Sequence, residues 1–332
     1  MPPRFYGGAE RVVDMLANGL ATRGHHVTLF AHRDSTVQCR LIPYPGKSSA
    51  SIADSLRNMN LISRTILRGR FDLVHSFGRM AYLIPLLPLP IVKIMSYGRW
   101  ISTRSVAWGH ALSRGTLHFT ACSQGMTEKG RKYGDWHVIY HGVPLNIFRF
   151  EAIVPPDAPL IYLGRIEHGK GVHLAIQVAK QSGRKLVIAG NVASEHQTYF
   201  KNDIQPCIDN GQIQYVGPVD DAQKSEWLRK SSALLFPVLW EEPFGIVMAE
   251  ALACGTPVIG FRRGSVSEIV QNGYNGFLCD SVEDMVESIG KIDNINRVNC
   301  RQTVESKFAE DVIVDEYERM YFSLLKKASS TD

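Results

Sequence analysis

The sequence contains no closely spaced pair of cysteines. Its six cysteines stand singly along 332 residues, and none forms a Cys-x-x-Cys element. This spacing argues against a disulfide-stapled secreted domain and against the common zinc-ribbon patterns, and it favours reduced thiols in the cytosol. The N-terminus is polar and glycine-rich, so we expect no secretory signal peptide.

Long hydrophobic runs are also missing. The longest apolar stretch, residues 83–95, is interrupted by three prolines and by Lys93. A membrane-spanning helix needs about 20 consecutive apolar residues. We therefore interpret this stretch as a loop followed by a buried strand, and we predict no transmembrane segment.

Acidic residues are scarce in the first half of the chain. Residues 1–150 hold 19 Lys and Arg against 7 Asp and Glu, a net charge of +12, whereas residues 151–332 carry −7. Such asymmetry favours an anionic partner for the first half, such as a lipid-headgroup surface or a phosphorylated acceptor. A solvated arginine-rich face without any partner would give the same charge asymmetry. Nucleic acid is not favoured, because the chain shows no recognition-helix, RNA-binding or zinc-finger motif.

Strand-like apolar runs alternate with helix-period segments along the whole chain. This pattern predicts an α/β fold with parallel sheets covered by helices, and 332 residues suit two such domains. Residues 149–159 contain three prolines and little periodicity, so they are predicted to link the domains. We expect an N-terminal domain over residues 1–150, a C-terminal domain over 151–309, and a terminal helical segment over 310–332.

Individual elements follow from the same pattern. The predicted strands are 26–31, 71–75, 91–95, 117–121, 138–140, 160–163, 185–189, 213–216, 233–237, 257–261 and 276–279. The predicted helices are 9–23, 52–68, 172–180, 222–231, 245–254, 282–289 and 310–327.

The strongest functional signal is the segment 240–261, WEEPFGIVMAEALACGTPVIGF, in which Glu242 and Glu250 stand eight positions apart. The proline after Glu242 favours a loop and then a first helical turn. Apolar residues recur at helical spacing until Gly255 ends the helix. One carboxylate thus lies beside a helix start whose amides attract anions, and the second projects from its early turns. This arrangement suits a ligand that carries both hydroxyls and phosphate.

On spacing alone, two such glutamates are more typical of solvated helix ends than of a binding site. The residues around them, Glu-Pro-Phe-Gly and Ala-Glu-Ala-Leu-Ala-Cys-Gly-Thr-Pro-Val-Ile, closely resemble the signature of retaining nucleotide-sugar glycosyltransferases of family four. The resemblance continues in Gly7-Gly8-Ala9-Glu10-Arg11, Leu163-Gly164-Arg165 and Lys170-Gly171, and so covers nearly the whole chain. It implies the GT-B fold, with two Rossmann-like domains facing a cleft and a last helix that returns to the first domain.

The resemblance also implies a donor site. Arg165 and Lys170 would hold the diphosphate of the donor, a role for which a forked guanidinium and a compact ammonium are suited. Glu250 would bind the ribose hydroxyls. Glu242 would contact the transferred sugar, and we place it with Arg165 and Lys170 in the catalytic set. The two cations offset the charge of the leaving group, so no metal and no other cofactor is expected.

Further donor contacts are implied around this set. The backbone amides near Phe244, Gly245 and Ile246 would reach the sugar. Gly7 and Gly8 would close over the diphosphate, because glycine lets the backbone approach a phosphate closely. The base would lie near three residues that precede or begin a predicted helix, which are Val219, Asp221 and Lys224. Acidic residues there are also ordinary helix caps, so uracil and guanine are not distinguished.

The chain departs from the family pattern in two places. Relatives have a central strand before the Gly-Gly loop, whereas only six residues, two of them prolines, precede Gly7. We therefore expect the N-terminal sheet to lack its first strand and the chain to be shorter than its relatives at this end. Many relatives also have a histidine that touches the donor sugar after the strand at 91–95, where this chain reads Ser96-Tyr97-Gly98-Arg99.

Together these motifs predict transfer of a sugar from a nucleoside diphosphate, UDP before GDP, to an acceptor hydroxyl with retention of configuration. No motif identifies the acceptor, which is anionic or membrane-bound if the basic first half contacts it. The main alternative is a catalytically inactive interaction protein, which the two departures favour. A nucleotide-sugar epimerase is less favoured, since such sites use additional acids and histidines. We expect a cytoplasmic protein, either free or peripheral to a membrane.

Overall fold

The computed structural model describes residues 8–46, 51–99, 101–128, 130–209 and 211–330. The chain divides into two compact units: unit 1 comprises residues 1–142 and 313–332, and unit 2 comprises residues 143–312. The first unit ends at residue 142, eight residues before the predicted domain end at residue 150. The reason is that Val143 pairs with Phe308 through a 2.8 Å backbone hydrogen bond and Phe148 is fully buried, so the segment 149–159 lies within unit 2.

The strands are all paired in parallel. In chain order they are β1 (Thr28–Ala31), β2 (Arg40–Pro43), β3 (Leu73–Ser76), β4 (Val92–Tyr97), β5 (Leu117–Ala121), β6 (Trp136–Val138), β7 (Leu160–Leu163), β8 (Leu186–Ala189), β9 (Ile213–Gly217), β10 (Ala233–Phe236), β11 (Val258–Phe261) and β12 (Gly276–Cys279).

The α-helices cover these sheets. They are α1 (Gly8–Thr22), α2 (Ile52–Arg68), α3 (Thr103–Leu112), α4 (Gln124–Thr127), α5 (Val172–Ser182), α6 (Gln197–Tyr199), α7 (Asp221–Arg229), α8 (Ile246–Ala253), α9 (Val266–Ile269), α10 (Val282–Ile289), α11 (Arg297–Lys307) and α12 (Glu310–Ser329). A π-helical turn covers Phe200–Ile204, and short 3₁₀ helices cover Met80–Leu86, His168–Lys170, Ser194–His196, Gln205–Cys207 and Ile292–Asn294.

Unit 1 contains a two-stranded sheet, β1–β2, and a four-stranded sheet, β3–β4–β5–β6. Successive residues of a strand point to opposite faces, and β4 follows this rule. Its Val92 and Ile94 pack in one cluster with α1 and α12, whereas Met95 packs in a second cluster with α2, α3 and the 3₁₀ helix Met80–Leu86. Each face of the sheet is thus covered by its own helical layer. The expected absence of a first strand concerns residues 1–7, which lie outside the described residues.

A buried polar chain connects the four-stranded sheet to α12. His75 Nδ1 lies 2.6 Å from Tyr321 Oη, and His75 Nε2 lies 2.6 Å from Ser96 Oγ, which in turn contacts Thr120 Oγ1. Burial lowers the pKa of His75 to about 3, so the imidazole is neutral at physiological pH. Ser96 is therefore engaged in a structural network.

Unit 2 contains a six-stranded sheet in the order β12–β11–β10–β7–β8–β9. From β7 the chain winds outward through β8 and β9, then returns to the other side of β7 as β10 and winds outward again. The direction of winding reverses between β7 and β10. In doubly wound folds ligands bind outside the carboxyl ends of the strands at such a switch point. The segments that follow β7 and β10 are therefore where a ligand site is expected.

Candidate active site

The segment after β7 carries Arg165 and, two residues later, a buried carboxylate. Arg165 Nη2 lies 3.1 Å from Glu167 Oε1, and Glu167 Oε2 lies 3.3 Å from His196 Nε2. The Glu167 side chain is 8% exposed and that of Arg165 39%. Glu167, which the sequence did not single out, thus holds a partly exposed guanidinium at the carboxyl end of the central strand.

Lys170 ends the 3₁₀ helix His168–Lys170 and points toward the segment after β10. Its Nζ donates a 2.5 Å hydrogen bond to Glu242 Oε2, and both side chains are buried. The next residue, Gly171, has a φ of 74°, and a Cβ there would lie 2.0 Å from the Pro237 carbonyl oxygen. Only glycine fits this close approach, which brings the two segments into direct contact.

Glu242 accepts a second hydrogen bond from the indole of Trp240. The distance from Trp240 Nε1 to Glu242 Oε2 is 2.7 Å, and Lys170 Nζ lies 4.6 Å from the centre of a Trp240 ring. The backbone of Glu242 is held as well, because its carbonyl accepts a 3.0 Å hydrogen bond from the Ser265 N–H after β11. Glu242 Oε2 is thus fixed by the ammonium of Lys170 and the indole of Trp240. The segments that follow β7, β10 and β11 together hold the Glu242 residue in place.

The amides predicted to reach the sugar lie at the N-terminus of α8. Gly245 precedes the helix with a φ of 68°, and a Cβ there would lie 2.8 Å from Phe236 Cζ. Phe244 is buried against Phe308, with ring centroids 5.8 Å apart. The helix therefore begins one residue later than predicted, at Ile246. Its first amides and its dipole favour an anion or an electronegative ligand atom at this end.

The second glutamate of the motif forms a separate buried cluster. Lys224 Nζ of α7 lies 2.7 Å from Glu250 Oε1 of α8 and 3.0 Å from Asp221 Oδ1. Glu250 is 2% exposed. The cap of α7 is Asp220, which forms a capping box with Gln223, so Asp221 does not act as the cap. Val219 lies just before this cap, between β9 and α7.

The two glycines expected to contact the donor, and the residues that stand where relatives have a histidine, belong to unit 1. Gly8 is the first residue of α1, and Gly7 lies outside the described residues. Tyr97, at the end of β4, has its ring 5.8 Å from that of Trp136. Ser96 is bound to His75, as described above.

Three site residues were not predicted from the sequence, namely Glu167, His196 and Trp240. Glu167 is close in sequence to predicted residues but belongs to no recognised motif. Trp240 begins the segment 240–261 but lies outside the Glu-Pro-Phe-Gly motif within it. His196 precedes α6, about 30 positions from the residue it contacts. Their roles depend on which way the side chains point after the loops pack, and spacing does not carry that information.

None of the helices in the described part of the chain combines the length and the apolarity needed to cross a membrane.

Fold and geometry together define a two-unit, doubly wound α/β protein with a charged site beside a switch point. The family model described as Glycosyl transferases group 1 matches residues 146–304, and the model described as Glycosyltransferase Family 4 matches residues 6–147. The chain belongs to the group 1 glycosyltransferases of GT-B fold. The predicted family and the predicted GT-B class with two Rossmann-like domains are thereby confirmed, and the protein is a glycosyltransferase.

Relatives of known sequence span most of the chain. Glycogen synthase of Mycobacterium tuberculosis is 25% identical over 337 residues, which cover 84% of this chain and 80% of the relative. D-inositol 3-phosphate glycosyltransferase of Pseudarthrobacter chlorophenolicus is 26% identical over 330 residues, with 82% and 78% covered.

Solved structures share the fold at lower identity. Sucrose-phosphate synthase from Thermosynechococcus elongatus has a TM-score of 0.80 at 18% identity, with 97% of this chain and 94% of that chain covered. Anabaena HepE in complex with UDP and glucose has a TM-score of 0.74 at 16% identity, with 97% of both chains covered.

Proposed function

We propose that the protein transfers a sugar from a UDP-sugar, with a GDP-sugar as the second candidate, to an acceptor hydroxyl with retention of configuration. The observation that carries this proposal is the 2.5 Å contact between Lys170 and Glu242 beside the switch point of unit 2. It places a cation suited to a diphosphate next to an acid suited to a sugar hydroxyl. UDP is favoured because HepE, which has the same fold, was solved with UDP and glucose.

The diphosphate of the donor is bound by Arg165 and Lys170. In the described structure each cation faces a buried carboxylate, Glu167 or Glu242. These acids orient the cations before the donor arrives, and the diphosphate then supplies further anionic oxygens to the same donors. A hydrogen bond to a charged group contributes about 1.5–3 kcal/mol, so the two cations supply much of the donor affinity.

The ribose is bound by Glu250. Its Oε1 accepts the Lys224 hydrogen bond, and we assign Oε2 to the ribose hydroxyls. Lys224 therefore acts by orienting Glu250. Val219 and Asp221 remain the proposed neighbours of the base.

The transferred sugar is bound by Glu242 Oε1 and by the amides around Phe244, Gly245 and Ile246.

In the reaction, the bond between the anomeric carbon and the departing phosphate oxygen breaks. The bond to the acceptor oxygen forms on the same face of the sugar, and the acceptor proton passes to the departing phosphate oxygen. Arg165 and Lys170 offset the charge that develops on this leaving group, so we propose that the reaction requires no metal ion. The free thiols of all six cysteines support a reducing, cytoplasmic location.

The test combines calorimetry with a panel of donors. UDP and GDP are titrated into the wild-type chain, Glu250→Gln and the control Glu283→Gln, whose side chain is exposed on α10. Glu250→Gln is expected to weaken nucleotide binding at least about tenfold, because it removes a charged acceptor of hydrogen bonds, and the control is expected to bind normally. Nucleotide release from each donor, with and without EDTA, then identifies the sugar and the metal requirement, and NMR of the product gives its anomeric configuration.

Three results would overturn the proposal. Failure to bind either nucleotide would favour the inactive interaction protein. Conversion of a free nucleotide-sugar without transfer would favour the epimerase. An inverted product would refute retention while leaving the donor site intact.

A further inference from the structure

One helical layer of unit 1 leaves large apolar side chains on its outer surface. The layer consists of α2, the 3₁₀ helix Met80–Leu86 and α3, which pack together on one face of the four-stranded sheet through a shared cluster. Six large apolar side chains of this layer are at least half exposed to solvent. They are Ile52, Leu56, Leu67, Ile84, Trp108 and Leu112. We call the outer surface of these three elements the α2–α3 surface.

On α2 the exposed side of the helix is itself divided into two stripes. With 3.6 residues per turn, Leu56 and Leu67, eleven positions apart, lie on one line along the helix. The exposed Arg57, Arg64 and Arg68 lie on a second line beside it. A helix that only covers a core has its apolar stripe facing inward and a polar outer face. An apolar line next to a basic line on the outside is the pattern of a helix that lies in a membrane interface.

On α3 the exposed side repeats the combination. Arg104, Trp108 and Leu112 are four positions apart and so lie on one face, and the Trp108 side chain is 69% exposed. Burying a large apolar side chain is favourable, so leaving a tryptophan in water forgoes a substantial gain. Tryptophan is enriched at the boundary between a membrane and water, where its amphipathic ring is partly buried.

The part of the chain that forms this surface has a positive net charge. Residues 51–116 contain nine Lys and Arg and two Asp and Glu. Lys93 is buried and Arg57 lies 3.2 Å from Asp54, so the net positive charge of the surface comes from the other arginines. A basic residue near an anionic membrane strengthens binding about fivefold. The excess is thus large enough to favour an anionic partner strongly.

A depression at the edge of the α2–α3 surface extends its apolar part. Its volume is about 420 Å³, and it is lined by apolar side chains that include Leu67 and Ile91. The exposed Arg70 and Asp72 also line it, so it adds apolar area without net charge. A polyanion without apolar groups would leave the leucines and Trp108 uncovered.

We propose that the α2–α3 surface docks on a lipid bilayer that contains anionic lipids. The apolar side chains enter the interface and the arginines contact the headgroups, while the chain does not cross the membrane. Vesicle binding is measured without substrate, so its result is independent of the proposed transferase reaction.

The experiment is cosedimentation of the full chain with phosphatidylcholine vesicles, with and without phosphatidylglycerol, at low and high salt. A basic-line variant replaces Arg57, Arg64 and Arg68 with Gln, and an apolar variant replaces Leu56, Leu67 and Trp108 with Ser. A charge-matched control replaces three exposed lysines of unit 2 with Gln, and these are Lys180, Lys201 and Lys307. An apolar control, Ile153→Ser, changes a side chain of unit 2 that is 81% exposed.

The wild-type chain is expected to bind only the vesicles with phosphatidylglycerol and to be released by salt. The basic-line variant is expected to bind about thirtyfold more weakly, because Arg64 and Arg68 each contribute about fivefold and Arg57 is already paired with Asp54. The apolar variant is expected to bind more weakly while keeping its salt dependence, and both controls to bind as wild type. Circular dichroism and urea unfolding confirm that each variant is folded.

Several outcomes would overturn the proposal. Equal binding to both kinds of vesicle would show that the arginines do not contact headgroups. Equal loss in the unit 2 lysine control would show that net charge, and not this surface, is responsible. If no vesicles bind but the chain self-associates, and the apolar variant abolishes that association in analytical ultracentrifugation, the surface belongs to a second copy of the chain.

Discussion

Lys224 Nζ donates a 2.7 Å hydrogen bond to Glu250 Oε1 and thereby joins α7 to α8. Both side chains are buried, and Asp221 is a second anionic partner of the lysine at 3.0 Å. Removing one partner of a buried ion pair leaves an uncompensated charge, which is more destabilising than removing both. The pair therefore connects the stability of unit 2 to the orientation of the acid that we assign to the ribose.

Replacing Lys224 with Met is expected to lower the free energy of unfolding by about 3–5 kcal/mol, because Glu250 would remain buried without its cation. The double variant Lys224→Met, Glu250→Gln is expected to regain part of this loss. Urea unfolding measures both. The control Lys230→Met, whose side chain is exposed on the surface after α7, is expected to change stability by no more than about 0.5 kcal/mol. An additive double variant would contradict the coupling.

Replacing Trp240 with Phe removes the indole N–H that Glu242 Oε2 accepts, while an aromatic ring remains near Lys170. A hydrogen bond to a charged group contributes about 1.5–3 kcal/mol, so kcat/KM for sugar transfer is expected to fall about tenfold or more. The matched control is Trp227→Phe on α7, which is expected to keep its rate. An unchanged rate in Trp240→Phe would show that the indole does not position Glu242 for catalysis.

Replacing Gly245 with Ala tests the start of α8. A non-glycine residue in a left-handed conformation costs roughly 1–2 kcal/mol. Gly183→Ala is a matched control, because its φ of 67° is nearly the same as the 68° of Gly245 but no atom lies within 4 Å of the added Cβ. At Gly245 the Cβ would also crowd Phe236, which adds roughly 1–3 kcal/mol. Thermal unfolding should therefore rank Gly245→Ala as the less stable variant, and equal losses would contradict the crowding.

We predict that protonation of His75 in the unfolded chain makes the fold less stable in acid. Burial lowers its pKa in the folded chain to about 3 from an ordinary value of 6.5. The unfolded chain therefore binds the proton first as the pH falls, and the stability held above about pH 7 is lost progressively between 6.5 and 3. At pH 5 the loss due to this residue is about 1–2 kcal/mol.

Urea unfolding of the wild type and of His75→Gln at pH 7.5 and pH 5 measures this contribution. The variant is expected to lose less stability in acid than the wild type. The control His32→Gln changes an exposed imidazole and is expected to lose as much as the wild type. Parallel losses in all three chains would show that His75 does not titrate between the folded and unfolded states.

Much of unit 2 could be predicted from the sequence because its inner strands β8, β10 and β11 are buried on both faces. Parallel buried strands read as continuous apolar runs, and β7 and β12 match their predicted limits. In contrast, α11 was missed because its sequence is largely polar. Its anchor is the buried guanidinium of Arg297, which donates to the Ser231 carbonyl at 2.9 Å and to the Thr256 hydroxyl at 2.9 Å. Such contacts arise only once distant segments have packed together.

In unit 1 the errors have similar causes. The strand predicted at 138–140 lies at Trp136–Val138, where the Trp136 ring stacks on Phe119 with centroids 5.0 Å apart. The short strand β2 was missed because none of its residues is buried, so it has no apolar pattern. It is a strand because its backbone pairs with that of β1. Helix α3 was missed because Trp108 and Leu112 point outward and weaken the inward apolar pattern.

The site residues were found through their motifs, but their pairing was not. Glu242 and Glu250 look alike in the sequence, whereas the structure pairs them with cations from different segments, Lys170 after β7 and Lys224 of α7. Seventy-two positions separate Lys170 from Glu242. Only the parallel pairing of β7 with β10 brings such distant segments side by side.

The core of unit 1 is assembled from both ends of the described chain. Val12 and Leu16 of α1 share a cluster with Tyr317, Met320 and Leu324 of α12. The ribosome therefore synthesises the whole of unit 2 before it synthesises α12, which completes the core of unit 1. Until then the nascent unit 1 exposes an apolar face that chaperones can recognise, and a fragment that ends at residue 142 would keep this face exposed.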